Sequence, residues 1–131
     1  MKIALAVLLF VLPAFAAEKT TLPSGDPINR AALLQVLSGS PGAFLSHVDS
    51  EPEFRDGHFY GWRLRALYPD DARFSNASLH PGDVILRINQ RRVEHPEEFL
   101  QVWKTLKRSK ELRVELERNG KIQLLRWPII D

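Results

Sequence analysis

Cysteine is absent from the 131-residue chain, which excludes a disulfide framework, a thiolate metal site and a thiol nucleophile. A strong excess of charge is also lacking, because 18 Lys and Arg residues face 16 Asp and Glu residues. A formal net charge of +2 is too small to predict nucleic-acid binding without a concentrated basic patch. The length suits one domain and leaves little room for an enzyme with a separate cofactor fold.

Motifs for catalysis and metal binding are missing as well. The four histidines contain no pair at i, i+4 spacing and no His-Glu-x-x-His pattern. No Gly-x-Ser-x-Gly elbow and no glycine-rich phosphate loop occurs. The sequence therefore predicts a non-enzymatic protein with no catalytic residue, no metal and no cofactor.

An apolar run, Ile3–Phe15, opens the chain and ends in a small-x-small pattern at Ala16. This arrangement is typical of a cleavable signal peptide over residues 1–16 and predicts a periplasmic or secreted protein. The alternative is an N-terminal anchor that holds a periplasmic domain. A membrane span needs about 20 apolar residues, and Pro13 and Glu18 cut this run short. We therefore expect no integral membrane span after signal cleavage.

The remaining chain divides by its local patterns. Residues 17–27 are polar and contain Pro and Gly, which predicts a flexible leader. Asp26-Pro27 resembles a helix cap followed by proline at the first helical position, so we predict a helix over residues 28–40. The rest, residues 41–131, is predicted to form one domain.

Within that domain, alternation and turn signals predict the order of the elements. Residues 43–48 are expected to form a short extended piece, and residues 49–57 a polar segment ending in an Asp-Gly turn. Strands are predicted at 59–67 and 84–89, with a short helix at 69–78 between them. A helix then begins at Pro96 with His95 as its cap, and two final strands meet at Asn119-Gly120.

Several of these pieces together resemble a PDZ domain of the bacterial, circularly permuted type. The order is similar to that of the periplasmic PDZ domain of type II secretion system protein C, and the resemblance covers residues 28–130. It is carried by Phe59-Tyr60-Gly61-Trp62, by Leu-His-Pro-Gly-Asp-Val-Ile-Leu-Arg-Ile-Asn at 79–89, by Pro96-Glu97-Glu98-Phe99 and by Arg118-Asn119-Gly120. The helix at 28–37 and Arg55-Asp56-Gly57 add to it.

The resemblance implies a β-rich α+β fold: a small, partly open PDZ-like β-barrel or sandwich with two helices, preceded by one N-terminal amphipathic helix. It also implies a protein or peptide partner bound by β-strand addition in a groove between a strand and a helix. Gly61 would serve the close approach of the bound backbone. The peptide-binding residues that the resemblance implies are Phe59, Tyr60, Gly61, Trp62, Arg63, Leu64, Arg65, Ala66, Pro96, Leu100 and Trp103.

The function that follows is a non-enzymatic, exported protein-interaction module. The resemblance to protein C implies a component of a type II-like secretion system that binds an extended peptide or a partner strand. The alternative is a stand-alone periplasmic scaffold or a protease adaptor. Recognition of a C-terminal peptide and recognition of an internal peptide both remain open at this point.

Overall fold

The fold is described by a computed structural model, which covers residues 20–21, 25–66 and 79–131. The chain order of its elements is β1 Thr20–Thr21, β2 Ile28–Asn29, α1 Arg30–Leu37, α2 Pro41–Leu45, β3 Asp49–Arg55, β4 His58–Ala66, β5 Val84–Ile88, β6 Arg91–Arg92, α3 Pro96–Leu106, β7 Glu111–Arg118 and β8 Lys121–Ile130. The predicted signal peptide at 1–16 and the predicted helix at 69–78 lie outside the described residues.

The strands form one open sheet in the order β1-β8-β7-β5-β4-β3, with β2 beside β8 and β6 beside β5. Strands β1 and β2 run parallel to β8, and the other neighbours are antiparallel. The predicted sheet-rich α+β architecture is confirmed. Where the chain is described, no helix is both long enough and apolar enough to cross a membrane.

The core has two neighbouring parts, which follow from the alternating apolar positions of the strands and from the apolar stripe of α3. Trp62 packs against both parts and so joins the sheet to the helices. The first part lies on the sheet and contains Leu64, Ile85, Val114, Leu116, Leu125 and Trp127. The second lies between α1, α3 and the end of β8 and contains Val93, Val102, Leu106 and Ile129.

Helix α1 is shorter than predicted and begins at a different cap. Asn29, not Asp26, is the N-cap, and its side chain accepts a hydrogen bond from the amide of Ala32 at 3.1 Å. The helix covers Arg30–Leu37 because Ile28–Asn29 pair with the end of β8 instead. Tertiary pairing therefore outweighs the local signal of Asp26-Pro27.

Arg30 fixes α1 to the far end of α3. Its guanidinium donates to the carbonyl oxygens of Lys107 at 2.6 Å and Ser109 at 3.0 Å, and it pairs with Asp131 at 2.6 Å. Carbonyl groups after a helix have no partner within the helix, and a cation there is favourable. This contact makes α1 part of the domain.

Part of the segment predicted as a flexible leader pairs with β8. Thr20–Thr21 lie in register with residues 123–124 of β8, and the amide of Gly25 donates to the carbonyl oxygen of Arg126 at 2.8 Å. A Cβ on Gly25 would lie 2.2 Å from the indole nitrogen of Trp127, so this close approach requires glycine. The described leader residues thus cover the outer edge of β8.

Two further local predictions were wrong. Residues 43–48 are not extended, because Pro41–Leu45 form helix α2, which Ser40 caps by accepting from the amide of Ala43 at 3.0 Å. Residues 49–55 are not a polar loop but strand β3, and only the Asp56-Gly57 turn was predicted correctly.

Candidate functional site

Strand β3 ends the described sheet, and β4 lies inside it. Strand β4 pairs with β3 from one end to the other and with β5 at Trp62 and Arg63. Beyond that pair, the amide of Leu64 donates to the carbonyl oxygen of Asp83 at 2.8 Å. Strand addition to β4, which the resemblance implied, is therefore blocked at residues 62–64, and the described edge available to an added strand is that of β3.

One face of β3 carries ion pairs to β4. Glu53 pairs with Arg63 and with Arg55, and the hydrogen bond from Arg55 is the main cause that lowers the pKa of Glu53. Farther along, Arg65 lies 3.6 Å from a carboxylate oxygen of Asp49 and 3.3 Å from one of Glu51. Side chains on alternate positions therefore hold the edge strand to its neighbour.

Arg55 extends this network to β7. Its guanidinium donates to the carboxylate of Glu117 at 2.7 and 3.1 Å and lies 3.8 Å from the ring centre of Tyr60. The Arg55 hydrogen bond is the main cause that lowers the pKa of Glu117. Burial, together with a hydrogen bond to Glu117, raises the pKa of the Tyr60 hydroxyl to about 12. The Tyr60 hydroxyl donates this hydrogen bond to Glu117 at 2.6 Å. Together, these contacts stabilise β3.

The opposite face of β3 carries Ser50, Pro52 and Phe54, and Phe54 begins a row of aromatic rings. Phe54 is 60% exposed, and its ring centre lies 6.2 Å from that of Phe59, the residue opposite it on β4. Phe59 lies 5.4 Å from Trp62, whose indole N–H donates to the carbonyl oxygen of Val93 at 2.7 Å. The row thus leads from the sheet edge to the residues just before α3.

Helix α3 follows shortly after Val93, the residue that Trp62 contacts. It begins at Pro96, and the side chain of Glu98 accepts from the backbone amide of His95 at 2.8 Å. Leu100 is 38% exposed and lies one turn before Trp103 on the same side of the helix. We use the name β3–α3 groove for the surface that includes Phe54 and Phe59 on the sheet and Leu100 on α3.

Trp103, a predicted binding residue, is buried against aromatic rings of α2 and α3. The indole is buried, and its ring centre lies 6.0 Å from that of Phe99 and 5.6 Å from that of Phe44 on α2. Helix α2 therefore packs against α3 immediately before β3 begins.

The other predicted binding residues on β4 are placed in different surroundings. Leu64 is buried in the core, and Ala66 is exposed opposite Asp49 at the end of the strand pair. Gly61 is buried where a Cβ would lie 2.6 Å from the carbonyl oxygen of Ile85. Gly61 does permit a close approach, but the approaching backbone is β5.

Sequence reasoning missed β3 and α2, although a signal for β3 was present. Asp49, Glu51, Glu53 and Arg55 alternate with less charged residues, which fits a strand with one charged face. Pro52 and the high polarity favoured a loop instead. The signal for α2 was Ser40-Pro41, a cap followed by proline at the first position.

A separate polar cleft of about 380 Å³ lies by the β7–β8 turn, away from the groove. Its floor holds Asp83, which is 1% exposed and accepts from the Arg118 guanidinium at 2.8 and 2.7 Å. Asp83 also accepts from the amide of His80 at 2.8 Å, so the carboxylate organises the turn before β5.

Residues 69–129 match the family model of the PDZ domain. The PDZ domain of EpsC from Vibrio cholerae is similar in structure, with a TM-score of 0.53 and 18% identity over 75% of this chain and 92% of that one. The PDZ domain of the pullulanase C protein of the type II secretion system from Klebsiella pneumoniae, solved with a fatty acid, has a TM-score of 0.49 and 22% identity over 73% and 98%. No curated protein matches this chain. The EpsC likeness shows the fold.

Proposed function

Because this chain carries a PDZ domain, we propose that it is a non-enzymatic, exported interaction module that holds an extended segment of a partner protein in the β3–α3 groove. The observation that carries this proposal is the position of β3. It is the last strand of the described sheet, and its exposed Phe54 begins the aromatic row that leads through Phe59 and Trp62 toward the residues before α3. An added strand would bond to β3 through its main chain and place alternate side chains in the groove.

The exposed apolar side chains support this assignment. Phe54 on β3 and Leu100 on α3 are 60% and 38% exposed, and Leu45, at 43%, lies just before β3. Burial of such side chains is the main source of binding free energy, at about 25 cal/mol per Å² of apolar surface removed from water.

Pro52 limits how a partner can bond to β3. A proline inside a strand is tolerated where its nitrogen faces away from the ladder, so the Pro52 nitrogen belongs to the free edge. The edge therefore lacks one N–H donor at its centre, while the carbonyl oxygen of Pro52 remains an acceptor. The same feature discourages uncontrolled pairing between copies of the edge.

We propose a type II-like secretion system as the biological setting. The support is the resemblance of residues 28–130 to the PDZ domain of protein C, which includes the helix before the domain. Genes for secretion components beside the gene for this chain would support the setting, whereas a neighbouring protease gene would favour the adaptor alternative.

The groove is tested by a peptide array followed by titration of the peptides that bind. Phe54→Asp should weaken binding by at least about tenfold, because it places a charge in an apolar contact. Leu34→Asp is the matched control, since Leu34 is an exposed leucine on α1. Pro52→Val should strengthen binding, because it adds a donor to the edge.

Two outcomes would contradict the proposal. In the first, Phe54→Asp and Leu34→Asp weaken peptide binding equally, and in the second, the parent protein binds no peptide. Circular dichroism of each variant checks that the fold is retained. Both residues are exposed, so we expect little loss of stability from either change.

A further inference from the structure

The segment before β3 uses its own backbone donors. The amides of Ala43, Phe44, Ser46, His47 and Val48 donate to acceptors at Ser40, Gly42, Phe44 and Leu45, over distances of 2.9–3.2 Å. These bonds form because residues 40–48 adopt a capped helix and the turns that follow it. Five backbone donors between residues 43 and 48, beside the start of the edge strand, are therefore satisfied within the segment.

A terminal carboxylate needs free donors to replace its hydration shell, and charge-assisted bonds to backbone N–H groups are the usual means. The satisfied amides before β3 offer none. The contact of Phe44 with Trp103, at 5.6 Å between ring centres, also fills the space between α2 and α3 at this end of the groove.

The charge at the start of β3 is unfavourable for a carboxylate as well. Asp49 and Glu51 both pair with Arg65, and their side chains are 54% and 49% exposed. Counted over residues 25–66 and 79–131, which the structure describes, these two carboxylates and one guanidinium sum to one negative charge. A segment that brings Lys or Arg to this position would be attracted, and one that ends there in a carboxylate would be repelled.

The two faces of β3 differ in character, which predicts alternating side-chain types in the segment that binds beside it. An added strand would place every second side chain against Phe54 and Leu100, and the intervening side chains beside Asp49 and Glu51. Apolar residues fit the first set and basic residues fit the second.

We infer that the partner segment is an internal one: an extended stretch with alternating apolar and basic side chains, recognised without a free C-terminal carboxylate. This inference rests on the proposed function of the β3–α3 groove. It goes further by excluding the chain terminus as the recognised group and by assigning the sign of the partner's charge.

The test uses synthetic peptides of about ten residues, enough to span a strand, in which Val alternates with Lys. One form ends in an amide and the other in a free carboxylate, and a matched peptide has Glu in place of Lys. The amide form should bind at least as tightly as the free acid. The Glu peptide should bind at least about tenfold more weakly than the Lys peptide.

A double variant, Asp49→Asn with Glu51→Gln, controls for the charge argument. It should reduce the preference for Lys over Glu while leaving the fold intact, since both residues are exposed. A loss of about tenfold or more in affinity on amidation would overturn the inference and leave the groove as the binding site. Failure of every array peptide to bind would overturn the proposed function itself.

Discussion

A substitution at Gly61 distinguishes a ligand site on β4, as the sequence predicted, from the site proposed at the edge of β3. A Cβ built on Gly61 would lie 2.6 Å from the carbonyl oxygen of Ile85, 2.7 Å from a methyl carbon of Val84 and 3.0 Å from one of Leu86. The nearest of these atoms is backbone, which cannot rotate away as a flexible side chain can. Gly61→Ala should therefore push β4 and β5 apart.

The expected cost follows from overpacking, which destabilises a core by about 1–3 kcal/mol per added group. Gly61 belongs at the upper end of this range, because backbone on one strand must move relative to backbone on the next. A loss of about 3 kcal/mol corresponds to a fall in Tm of about 10–20 °C for a domain of this size.

Urea and thermal unfolding followed by tryptophan fluorescence measure this change. Gly42→Ala is the control, because a Cβ there meets nothing within 4 Å and the residue lies in a helix, where alanine is favourable. If Gly61→Ala kept the parent Tm but lost peptide binding, Gly61 would line the ligand site. The assignment of the groove to β3 would then be wrong.

Two other predictions concern stability. Asp83→Ala removes the buried carboxylate that binds the Arg118 guanidinium, which is 18% exposed, and should cost about 3 kcal/mol in urea unfolding. The double variant Asp83→Ala/Arg118→Met should lose less than the sum of the two single changes, and strict additivity would refute the coupling. Hydrogen bonds from Arg55 lower the pKa of Glu53 and of Glu117 below the ordinary value of 4.5. The two ionised carboxylates therefore stabilise the fold above pH 4.5, and this stabilisation is lost as the pH falls through their lower pKa values in the folded protein. Urea midpoints should therefore decrease on acidification, and Arg55→Met should flatten that decrease; an unchanged pH dependence in the variant would contradict this cause.

The sequence by itself determined the elements whose signals are local. Asn119 and Gly120 adopt φ values of 53° and 77°, as a tight hairpin turn requires, and β7 and β8 follow from the alternation around it. Helix α3 begins at Pro96 after the cap at His95, as its sequence predicts. For the site, local reasoning predicted Leu100 and Trp103 on one side of this helix; Leu100 is 38% exposed, and Trp103 is buried.

Only the tertiary structure decided which strand has the free edge. Residues 49–55 lack the apolar alternation of a strand, and they form one through backbone pairing with β4, whose arginines also meet their carboxylates once the chain turns back. For the same reason, the sequence did not determine which backbone approaches Gly61. A bound peptide and strand β5 would both require a residue without a side chain there, and in the structure the approaching strand is β5. Strand order depends on hydrogen bonds between distant segments, and a local pattern does not specify its partner.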